Sequence, residues 1–361
     1  MFHDWEIAYL IRLNPVSARL LNQQLASPQF KDPVEVVSWF GAMQAQDPRA
    51  MRWAVAMRTR RPSFKAFERA FNDGKIIRAH LLRCTWQMVS AEDYHWMREL
   101  IYRKSLSVMN GWTSALGFKI SEKEKETTLS LIGNLLRERH VATEDDINAA
   151  LLAGGIPKEH LFYSHHIRMA ELEGLVCSGP IGPKSTYMLV SERIGENGNI
   201  GREEALGRLA TKYFRSHGPA TLEDFVWWSG LNNGDCRKGV DVCGNAISAV
   251  RHQGRTFFIH SDGRTRGFRS GNLLLLPAYD EYLIGYKSRD VVLHPDHAHH
   301  AHDKKGIFRH VVAFDGEIVG NWSPYAKEGG FRLFKDGLSI PPAVFEKQVE
   351  VYHSALQYRR R

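Results

Sequence analysis

The sequence is poor in cysteine and has no long hydrophobic run. Its four cysteines, which include no CxxC pair, are Cys84, Cys177, Cys236 and Cys243. This usage argues for reduced thiols and against a zinc finger. The apolar run from Leu273 to Leu276 is cut short by Pro277, far below the roughly 18 residues of a membrane span. Asp4 and Glu6 stand where a signal peptide carries Lys or Arg, so a cytoplasmic protein is expected.

Several motifs of well-known catalytic sites are also missing. Neither the GxSxG turn of α/β-hydrolases nor the HExxH helix of zinc proteases occurs. The glycine-containing stretch 179–185 lacks a glycine before Lys184 and lies between predicted strands rather than before a helix. It is therefore not expected to bind a nucleotide phosphate.

Histidine is concentrated in one short segment that contains Pro295. Its members are His294, His297, His299, His300 and His302. Because their spacing fits no single helix face, we interpret the segment as a solvated loop and expect neither a metal ion nor another cofactor. A metal-dependent enzyme that uses this loop is the least favoured hypothesis.

The sequence does contain enough apolar residues for packed cores, together with an excess of positive charge. Hydrophobic residues make up 43% and charged residues 24% of the chain, which excludes disorder as its main state. The length of 361 residues predicts two or three domains at about 150 residues each. Lys and Arg number 48 against 40 Asp and Glu, a formal charge of +8. This charge favours anionic partners, although a merely soluble basic protein has the same composition.

A weak internal repeat is the best guide to domain organisation, because residues 142–147 are echoed by residues 220–225. In each copy a threonine, Thr143 or Thr221, is placed to cap a short helix whose first turn is acidic. The alternative is that two capped helices resemble each other by coincidence.

Each copy of the repeat is preceded by a helix and followed by a second helix and a hairpin. The predicted elements are 157–173, then 175–178 with 186–190, in the first copy, and 233–250, then 256–260 with a partner near Phe268, in the second. Three helices and a two-stranded wing are the plan of a winged helix. Two copies in tandem, after an N-terminal helical part that could hold a third, would fill residues 1–265.

The last part of the chain changes towards strands. These are predicted at 273–278, 284–286, 309–314 and 317–322. Asp315-Gly316 is a two-residue hairpin signal, and Pro341-Pro342 opens a last helix. The fold class is mainly α with β hairpins (α+β), with tandem winged-helix domains and a β-rich C-terminal segment. The predicted domains are an N-terminal helical or winged-helix domain (1–118), a second winged helix (119–195), a third (200–270) and the C-terminal segment (271–361).

Gln44 and Gln46 are the candidate catalytic residues. They lie between a helix predicted over residues 34–42 and a helix that begins at Asp47-Pro48, an N-cap followed by proline at the first helical position. An extended backbone would place both carboxamides on the same side of the chain, where they could converge on one point. The alternative is that they are ordinary polar residues at a helix junction, since Q-x-Q is a weak pattern.

Basic residues follow the glutamines, with Arg49 and Arg52 the nearest, and cluster again around the predicted third wing. The second cluster comprises Arg251, Arg255, Arg264, Arg266 and Arg269. Asp262 is the acidic residue expected to oppose it. Arginines on a wing suit phosphate contacts or entry into the minor groove, and a solvated hairpin explains them equally well.

Four stretches together resemble a known family, the AlkZ/YcaQ winged-helix DNA glycosylases. They are MQAQDPR (43–49), LLRCTW (81–86), GPAT with DF and WWSG (218–230), and LP with DEY and GY (276–286). The first matches the Q-x-Q form of the AlkZ-like branch, whereas the YcaQ-like branch carries Asp at the second position. The resemblance covers nearly the whole chain. One position departs from it: Gln87 stands where family members usually have His, and a changed substrate choice or activity is expected if that His shapes the pocket.

The resemblance implies tandem winged helices that form a concave basic surface for duplex DNA, and a monofunctional DNA glycosylase that excises alkylated purines. Unhooking of interstrand cross-links at N7-alkylguanine is part of the implied activity, with Gln44 and Gln46 as the catalytic pair. We expect Arg49, Arg52 and Arg83 to contact DNA together with the wing arginines. The expected partner is double-stranded DNA that carries alkylated purines, bound by a nucleoid-associated monomer. The alternative is a non-enzymatic winged-helix DNA-binding protein, such as a transcriptional regulator.

Overall fold

The computed structural model describes residues 14–195, 198, 200–325, 330–334 and 340–356, without the side chains of Phe162 and Tyr163. Asp4 and Glu6, on which the expectation of a cytoplasmic protein rests, lie outside these residues. The chain divides into two compact units. We call Glu68–Ala205 the inserted unit, and Met1–Phe67 with Leu206–Arg361 the main unit. The division into four domains (1–118, 119–195, 200–270 and 271–361) stays a prediction, because these compact units do not test it.

The main unit begins with helices and one short strand. They are α1 (Pro15–Asn22), α2 (Pro33–Phe40), β1 (Met43–Gln44), α3 (Ala50–Ala56) and α4 (Phe64–Asn72), the last of which runs into the inserted unit. Asp32 caps α2 through a capping box with Glu35, and Pro33 occupies the first position of the helix. Gly41 ends α2 with a φ of 79°. These local signals explain why α2 forms close to its predicted position.

The inserted unit contains a β-hairpin, four longer helices and a small antiparallel sheet. In chain order they are β2 (Ile76–His80), β3 (Trp86–Ser90), α5 (Ala91–Ala115), α6 (Glu122–Arg139), β4 (Ala142–Thr143), α7 (Glu144–Ala153), α8 (His165–Leu172), β5 (Val176–Ser178), β6 (Thr186–Leu189) and the short α9 (Val190–Arg193). Strand β6 pairs with both β4 and β5. The sheet and helices α6–α8 enclose a core that includes Ile132, Leu136, Ile147 and Ile167. The predicted hairpin of 175–178 with 186–190 is confirmed.

The second segment of the main unit carries helices, then a hairpin, then a sheet. The elements are α10 (Arg202–His217), which begins in the inserted unit, α11 (Leu222–Ser229), α12 (Asn233–Cys243), β7 (Ile247–His252), β8 (Arg255–His260), β9 (Leu273–Leu276), α13 (Glu281–Ile284), α14 (Ala298–Ala301), β10 (Val311–Phe314), β11 (Glu317–Trp322), β12 (Phe331–Leu333) and α15 (Pro342–Leu356). The last four strands form one antiparallel sheet in the order β12-β11-β10-β9. Its core side chains pack with those of α1, α3 and α15.

The internal repeat is confirmed at the level of the caps. Thr143 caps α7 and Thr221 caps α11, each through a capping box with an Asp three residues on. Their backbone angles are nearly the same, with φ and ψ of −83° and 166° at Thr143 and −84° and 166° at Thr221. The two helix starts are therefore equivalent local structures.

Three predicted elements are wrong or incomplete. The helix predicted over 157–173 is a 3₁₀ turn (Lys158–Ser164) followed by α8. The helix predicted over 233–250 ends at Cys243, because Gly244 takes a φ of 51° and the following residues form β7. Strand β8 accordingly pairs with β7, not with a segment near Phe268.

Of the other elements predicted for the described part of the C-terminal segment, one strand is absent, while the turn and the last helix are present. Residues 284–286 are not a strand, because Asp280 caps the short helix α13, which ends at Ile284 and has Gly285 as its C-cap. The Asp315-Gly316 turn is confirmed: both residues have positive φ, 49° and 89°, and the turn brings Phe314 opposite Glu317. The last helix begins at Pro342 as predicted, and residues 357–361 lie outside the described part. Within the described ranges, no helix is long and apolar enough to cross a membrane.

Candidate active site and nucleic-acid interface

Gln44 and Gln46 lie in the segment between α2 and α3, residues 41–49, which we call the glutamine loop. Gln44 belongs to β1 and is only 6% exposed. Gln46 lies in a bend two residues later and is exposed to solvent. The two amides therefore lie in different environments, one against the interior and one at the surface. Their convergence on one point stays a prediction.

The first end of the glutamine loop is held by α10. The Nζ of Lys212 donates a hydrogen bond to the carbonyl of Ser38 at 2.8 Å, and Arg215 donates to the carbonyl of Trp39 at 3.3 Å. These cations satisfy carbonyls at the end of α2, where the helix dipole favours positive charge. A side chain at Gly41 would place its Cβ 2.8 Å from Lys212 Cδ, and φ there is positive. Glycine is therefore needed for this close approach.

The other end of the loop is held by Asp47. Its Oδ1 accepts hydrogen bonds from the backbone N–H groups of Arg49, at 2.7 Å, and Ala50, at 3.1 Å. Its carbonyl accepts from the N–H of Met51 at 3.0 Å. Asp47 thus closes the turn that leads into α3. The helix itself begins at Ala50 with Arg49 at its N-cap position, so the predicted start at Pro48 is two residues too early.

A buried carboxylate holds the middle of the loop. Glu281, the first residue of α13, is 2% exposed, and its Oε1 accepts the backbone N–H of Gln44 at 2.5 Å. Its Oε2 lies 3.2 Å from Nε2 of His217 and 3.1 Å from Nε1 of Trp228. A charged group that is removed from water is costly unless it is hydrogen-bonded. The three donors therefore compensate for the burial of this carboxylate.

Glu281 is a residue whose role was not predicted from the sequence. It lies in the DEY stretch (280–282) that contributes to the family resemblance, but no function was assigned to it. The available signal was an acidic pair, Asp280 and Glu281, that is followed by Tyr282, Leu283 and Ile284. Asp and Glu are almost never fully buried unless they are paired, so burial of this acidic pair with its apolar neighbours would require donors from elsewhere in the chain.

The backbone next to Glu281 is fixed by a buried ion pair between Asp280 and Arg58. Asp280 caps α13, and its two carboxylate oxygens accept from Arg58 at 2.9 and 2.7 Å. Arg58 also donates to Gln23 Oε1 at 3.1 Å. These bonds connect α1, the end of α3 and α13 within the main unit, so Glu281 projects from a rigid base.

Burial lowers the pKa of His217, although the neighbouring carboxylate of Glu281 acts in the opposite direction. The ring is then neutral near pH 7, and Nε2–H donates to Glu281. Its Nδ1 lies 2.8 Å from Ser216 Oγ, and Tyr213 stacks on the ring with centroids 4.6 Å apart.

In the inserted unit, Arg83 and Gln87 belong to the β2–β3 hairpin. Arg83 is half-buried and has a φ of 56°, a strained conformation for a residue with a side chain. Gln87 is 2% exposed on β3, where its Nε2 donates to Thr85 Oγ1 at 3.1 Å. Gln87 is therefore an interior residue of this hairpin. A DNA contact of Arg83 stays a prediction.

The arginines expected around the third wing differ in their surroundings. Arg251 is exposed on β7, and Arg255 forms a two-pronged ion pair with Asp290 that holds the pKa of that carboxyl well below its usual range. The expectation that Asp262 alone opposes this cluster is therefore wrong. Asp290 lies 35 residues further along the chain, and the folded structure brings it to Arg255.

The remaining arginines of the cluster lie beyond the hairpin. The backbone N–H of Arg264 donates to Asn22 Oδ1 at 2.6 Å, and its guanidinium donates to the carbonyl of Ser27 at 3.1 Å. These bonds attach Arg264 to the segment around α1, while Arg266 and Arg269 are exposed. Near the glutamines, Arg49 is exposed with its guanidinium 5.9 Å from the ring centre of Tyr325, and Arg52 is half-buried.

An open cleft of about 940 Å³ lies beside the β7–β8 hairpin. Its lining includes the basic residues Arg237, Arg255 and Lys287, but also the acidic residues Glu223 and Asp241. The mixed charge of its walls does not single out an anionic ligand.

The histidine-rich segment is not an irregular loop. It forms a 3₁₀ turn (Pro295–His297) and α14. His299 and His300 lie with ring centres 3.9 Å apart, and His300 stacks on Phe334. Among the residues that the structure describes, no group of three or more His, Cys, Asp or Glu side chains is arranged to hold a metal ion.

Most of the chain matches a known protein family. A family model described as "DNA glycosylase AlkZ-like" matches residues 37–352, a range that includes the glutamine loop and Glu281. The chain therefore belongs to the AlkZ-like DNA glycosylase family. This confirms the resemblance and the prediction of a glycosylase enzyme, and it disfavours the regulator hypothesis.

Two matches from Streptomyces sahachiroi, one to a curated protein and one to a solved structure, extend over nearly the whole chain. The curated protein "Interstrand DNA cross-link repair glycosylase" is 24% identical over 352 residues, which cover 92% of this chain and 93% of that protein. The solved structure "Streptomyces sahachiroi DNA glycosylase AlkZ" is 23% identical, covers 98% of this chain and 97% of its own, and superposes with a TM-score of 0.81. The structural likeness confirms the mixed helix-and-strand fold.

The pKa of His217 makes a prediction about acid stability. Because the folded state keeps this ring neutral, its contribution to stability is present above the ordinary pKa of 6.5 and is lost as the pH falls below it. We expect the free energy of urea unfolding to fall between pH 7 and 5, with up to about 1.4 kcal/mol per pH unit due to this proton. His217→Gln keeps an N–H donor for Glu281 but cannot titrate, so its slope should be shallower.

Tyr282→Phe is the matched control: it removes a buried hydrogen bond to the carbonyl of Gly316 but no histidine, so it should retain the wild-type slope. Other buried histidines contribute equally to all three proteins, so the difference in slope isolates His217. Equal slopes for wild type and His217→Gln would show that His217 is not held neutral.

Proposed function

We propose that this glycosylase hydrolyses the N-glycosidic bond of N7-alkylated purines in duplex DNA and unhooks interstrand cross-links attached at N7 of guanine. The observation that carries the proposal is the glutamine loop: Gln46 is exposed, while the chain around it is held by Asp47 and by Glu281. The name of the curated relative, a cross-link repair glycosylase, supports the same substrate class.

The proposed chemistry suits neutral amides. Alkylation at N7 makes guanine cationic, so the electron pair of the breaking C1′–N9 bond neutralises the departing base and no acid is needed. The side-chain oxygens of Gln44 and Gln46 would accept hydrogen bonds from a water molecule and orient it towards C1′. The oxygen of that water bonds to C1′, and one of its protons leaves to solvent. Neutral amides are weak bases, so only substrates with a good leaving group should react.

We further propose that each helix–helix–hairpin repeat acts as a winged helix and that the chain binds DNA as a monomer. Arg251, Arg266 and Arg269 are exposed and suit phosphate contacts, whereas Arg255 is already neutralised by Asp290. A concave basic surface and an association with the nucleoid stay predictions. A bulky cross-link cannot enter a tight base pocket, so an open site is required.

The catalytic proposal predicts release of 7-methylguanine from a methylated duplex, which leaves an abasic site that hot alkali cleaves. Gln46→Ala should lower the single-turnover rate constant by ~10- to 100-fold, because an oriented water is lost but no strong base. Duplex affinity should stay within about threefold, since no phosphate contact is removed. Assays of a cross-linked duplex beside a methylated one would define the substrate.

Asp47→Asn is the matched control, because asparagine can still close this turn and removes the charge. If Asp47 only closes the turn before α3, this variant retains most of the wild-type rate. A loss as large as that of Gln46→Ala would instead make Asp47 the base. Wild-type protein that binds DNA but cleaves no better than Gln46→Ala would contradict the catalytic proposal.

The different surroundings of Arg251 and Arg255 predict different salt dependence of DNA binding. Arg251→Ala should reduce the slope of log affinity against log salt by about 0.9, the value for one phosphate contact. Arg255→Ala should reduce it less, because Asp290 already neutralises that guanidinium. Fluorescence anisotropy with an undamaged duplex at several salt concentrations measures both slopes. An unchanged slope for Arg251→Ala would remove this residue from the interface.

A further inference from the structure

We propose that Glu281 is a positioning residue for glycosidic bond hydrolysis, and that it acts by holding the backbone of Gln44 through the Oε1···H–N hydrogen bond. The inference rests on the proposed function of the glutamine pair. It assigns a role to a buried carboxylate that does not contact the substrate itself.

The first support is the distribution of bonds over the two carboxylate oxygens. Oε1 accepts the Gln44 N–H at 2.5 Å, while Oε2 faces His217 and Trp228 at 3.2 and 3.1 Å. A hydrogen bond to an ionised acceptor is shorter and about twice as strong as a neutral one. One carboxylate oxygen is thus directed at the glutamine loop, while the other is directed at the two ring N–H groups.

The second support is that Glu281 has little freedom to move with the loop. Its helix is capped by Asp280, which is held by the buried Arg58. The backbone carbonyl of Glu281 also accepts from Gln23 Nε2 at 3.4 Å. The Gln44 N–H is therefore attached to a fixed point of the main unit, and it cannot shift without breaking a charge-assisted bond.

The third support is the position of the bond within the loop. Lys212 and Arg215 fix residues 38–39 before the loop, and Asp47 fixes its end. Glu281 acts between these two points, at Gln44 itself. A change at residue 281 should therefore move the Gln44 amide more than it moves Gln46, which is next to the Asp47 anchor.

The fourth support comes from the chemistry. A pair of neutral amides gains its effect from the orientation of a water molecule rather than from basicity, and a misplacement of about 1 Å can cost ~10²-fold in rate. The position of the Gln44 backbone should consequently control the rate constant for bond cleavage. It should have little influence on the affinity for DNA, which depends on other residues.

Glu281→Gln is the sharpest variant because it conserves size and removes the charge. Glutamine offers one acceptor oxygen and an NH₂ donor, whereas Gln44 N–H, His217 Nε2–H and Trp228 Nε1–H are all donors. The NH₂ group of the new glutamine must then face at least one of these N–H donors, and that contact is lost. We expect the single-turnover excision rate constant to fall ~10- to 100-fold with duplex affinity within about threefold of wild type.

Tyr282→Phe is the matched control. Tyr282 lies in the same short helix as Glu281. The substitution removes the buried hydrogen bond from the Tyr282 hydroxyl to the carbonyl of Gly316, which is not part of the glutamine loop. It should lower thermal stability to a similar extent and leave the excision rate constant near that of wild type. If both variants lose the same activity, Glu281 acts only through stability and the proposal is overturned.

A double-mutant cycle with Gln44→Ala tests whether Glu281 acts through Gln44. Once the Gln44 side chain is absent, its position no longer matters, so Glu281→Gln/Gln44→Ala should be within about threefold of Gln44→Ala alone. Multiplicative losses would contradict the proposal, because they would mean that Glu281 acts by an independent route.

Hydrogen exchange at the Gln44 amide gives a readout that does not depend on activity. In DNA-free wild type this amide should be strongly protected, and Glu281→Gln should accelerate its exchange at least ~10-fold, whereas Tyr282→Phe should not. A Gln44 amide that exchanges freely in wild type overturns the inference even if the variant fails to fold. Protected wild type without any excision activity would instead overturn the proposed function and leave the contact itself established.

Discussion

The structure of the candidate site depends on the need of one buried carboxylate for hydrogen-bond donors. Glu281 is removed from water, and it is stable there because a backbone N–H of the glutamine loop, an imidazole and an indole point at it. The same requirement connects four parts of the chain, namely the loop, the end of α10, α11 and α13. What stabilises the carboxylate therefore also holds the backbone of Gln44, so the same hydrogen bonds contribute to the packing of the main unit and to the geometry of the candidate site.

Local signals in the sequence were sufficient for features that are decided locally. The Thr143 and Thr221 caps and the Asp315-Gly316 turn each depend on a few neighbouring residues, and each was predictable. Asp47 was correctly expected to bond the backbone ahead of α3, although the helix begins at Ala50 rather than at Pro48. The predicted helix over 233–250 is too long because residues 247–250 belong to β7, and pairing with β8 decides their conformation. Contacts between distant residues were out of reach: Gln44 and Glu281 are separated by 237 positions, and no periodicity reports that they meet. The partner of Arg255 was missed for the same reason.

The asymmetry of the two glutamines gives the proposed mechanism a definite form. Gln44 is buried and anchored through its backbone, while Gln46 is exposed beside the turn that leads into α3. A buried amide can hold one fixed direction, and an exposed amide can meet a ligand that arrives from solvent. This division suits a site that orients water rather than one that abstracts a proton, and it matches a cationic purine as leaving group. Gln87 is buried, and the expectation that it changes substrate choice or activity stays a prediction.

The proposed mechanism requires the glutamine loop to present both amides to one deoxyribose. A crystal structure with a duplex that contains a cationic pyrrolidine abasic site, which mimics the oxocarbenium-like state, would show whether it does. We expect a water molecule within about 3.2 Å of both side-chain oxygens, directed at the ring atom that replaces C1′, with the Gln44 N–H still bonded to Glu281. An analogue bound away from the glutamine loop, or side chains of Gln44 and Gln46 on opposite sides of it, would rule the mechanism out.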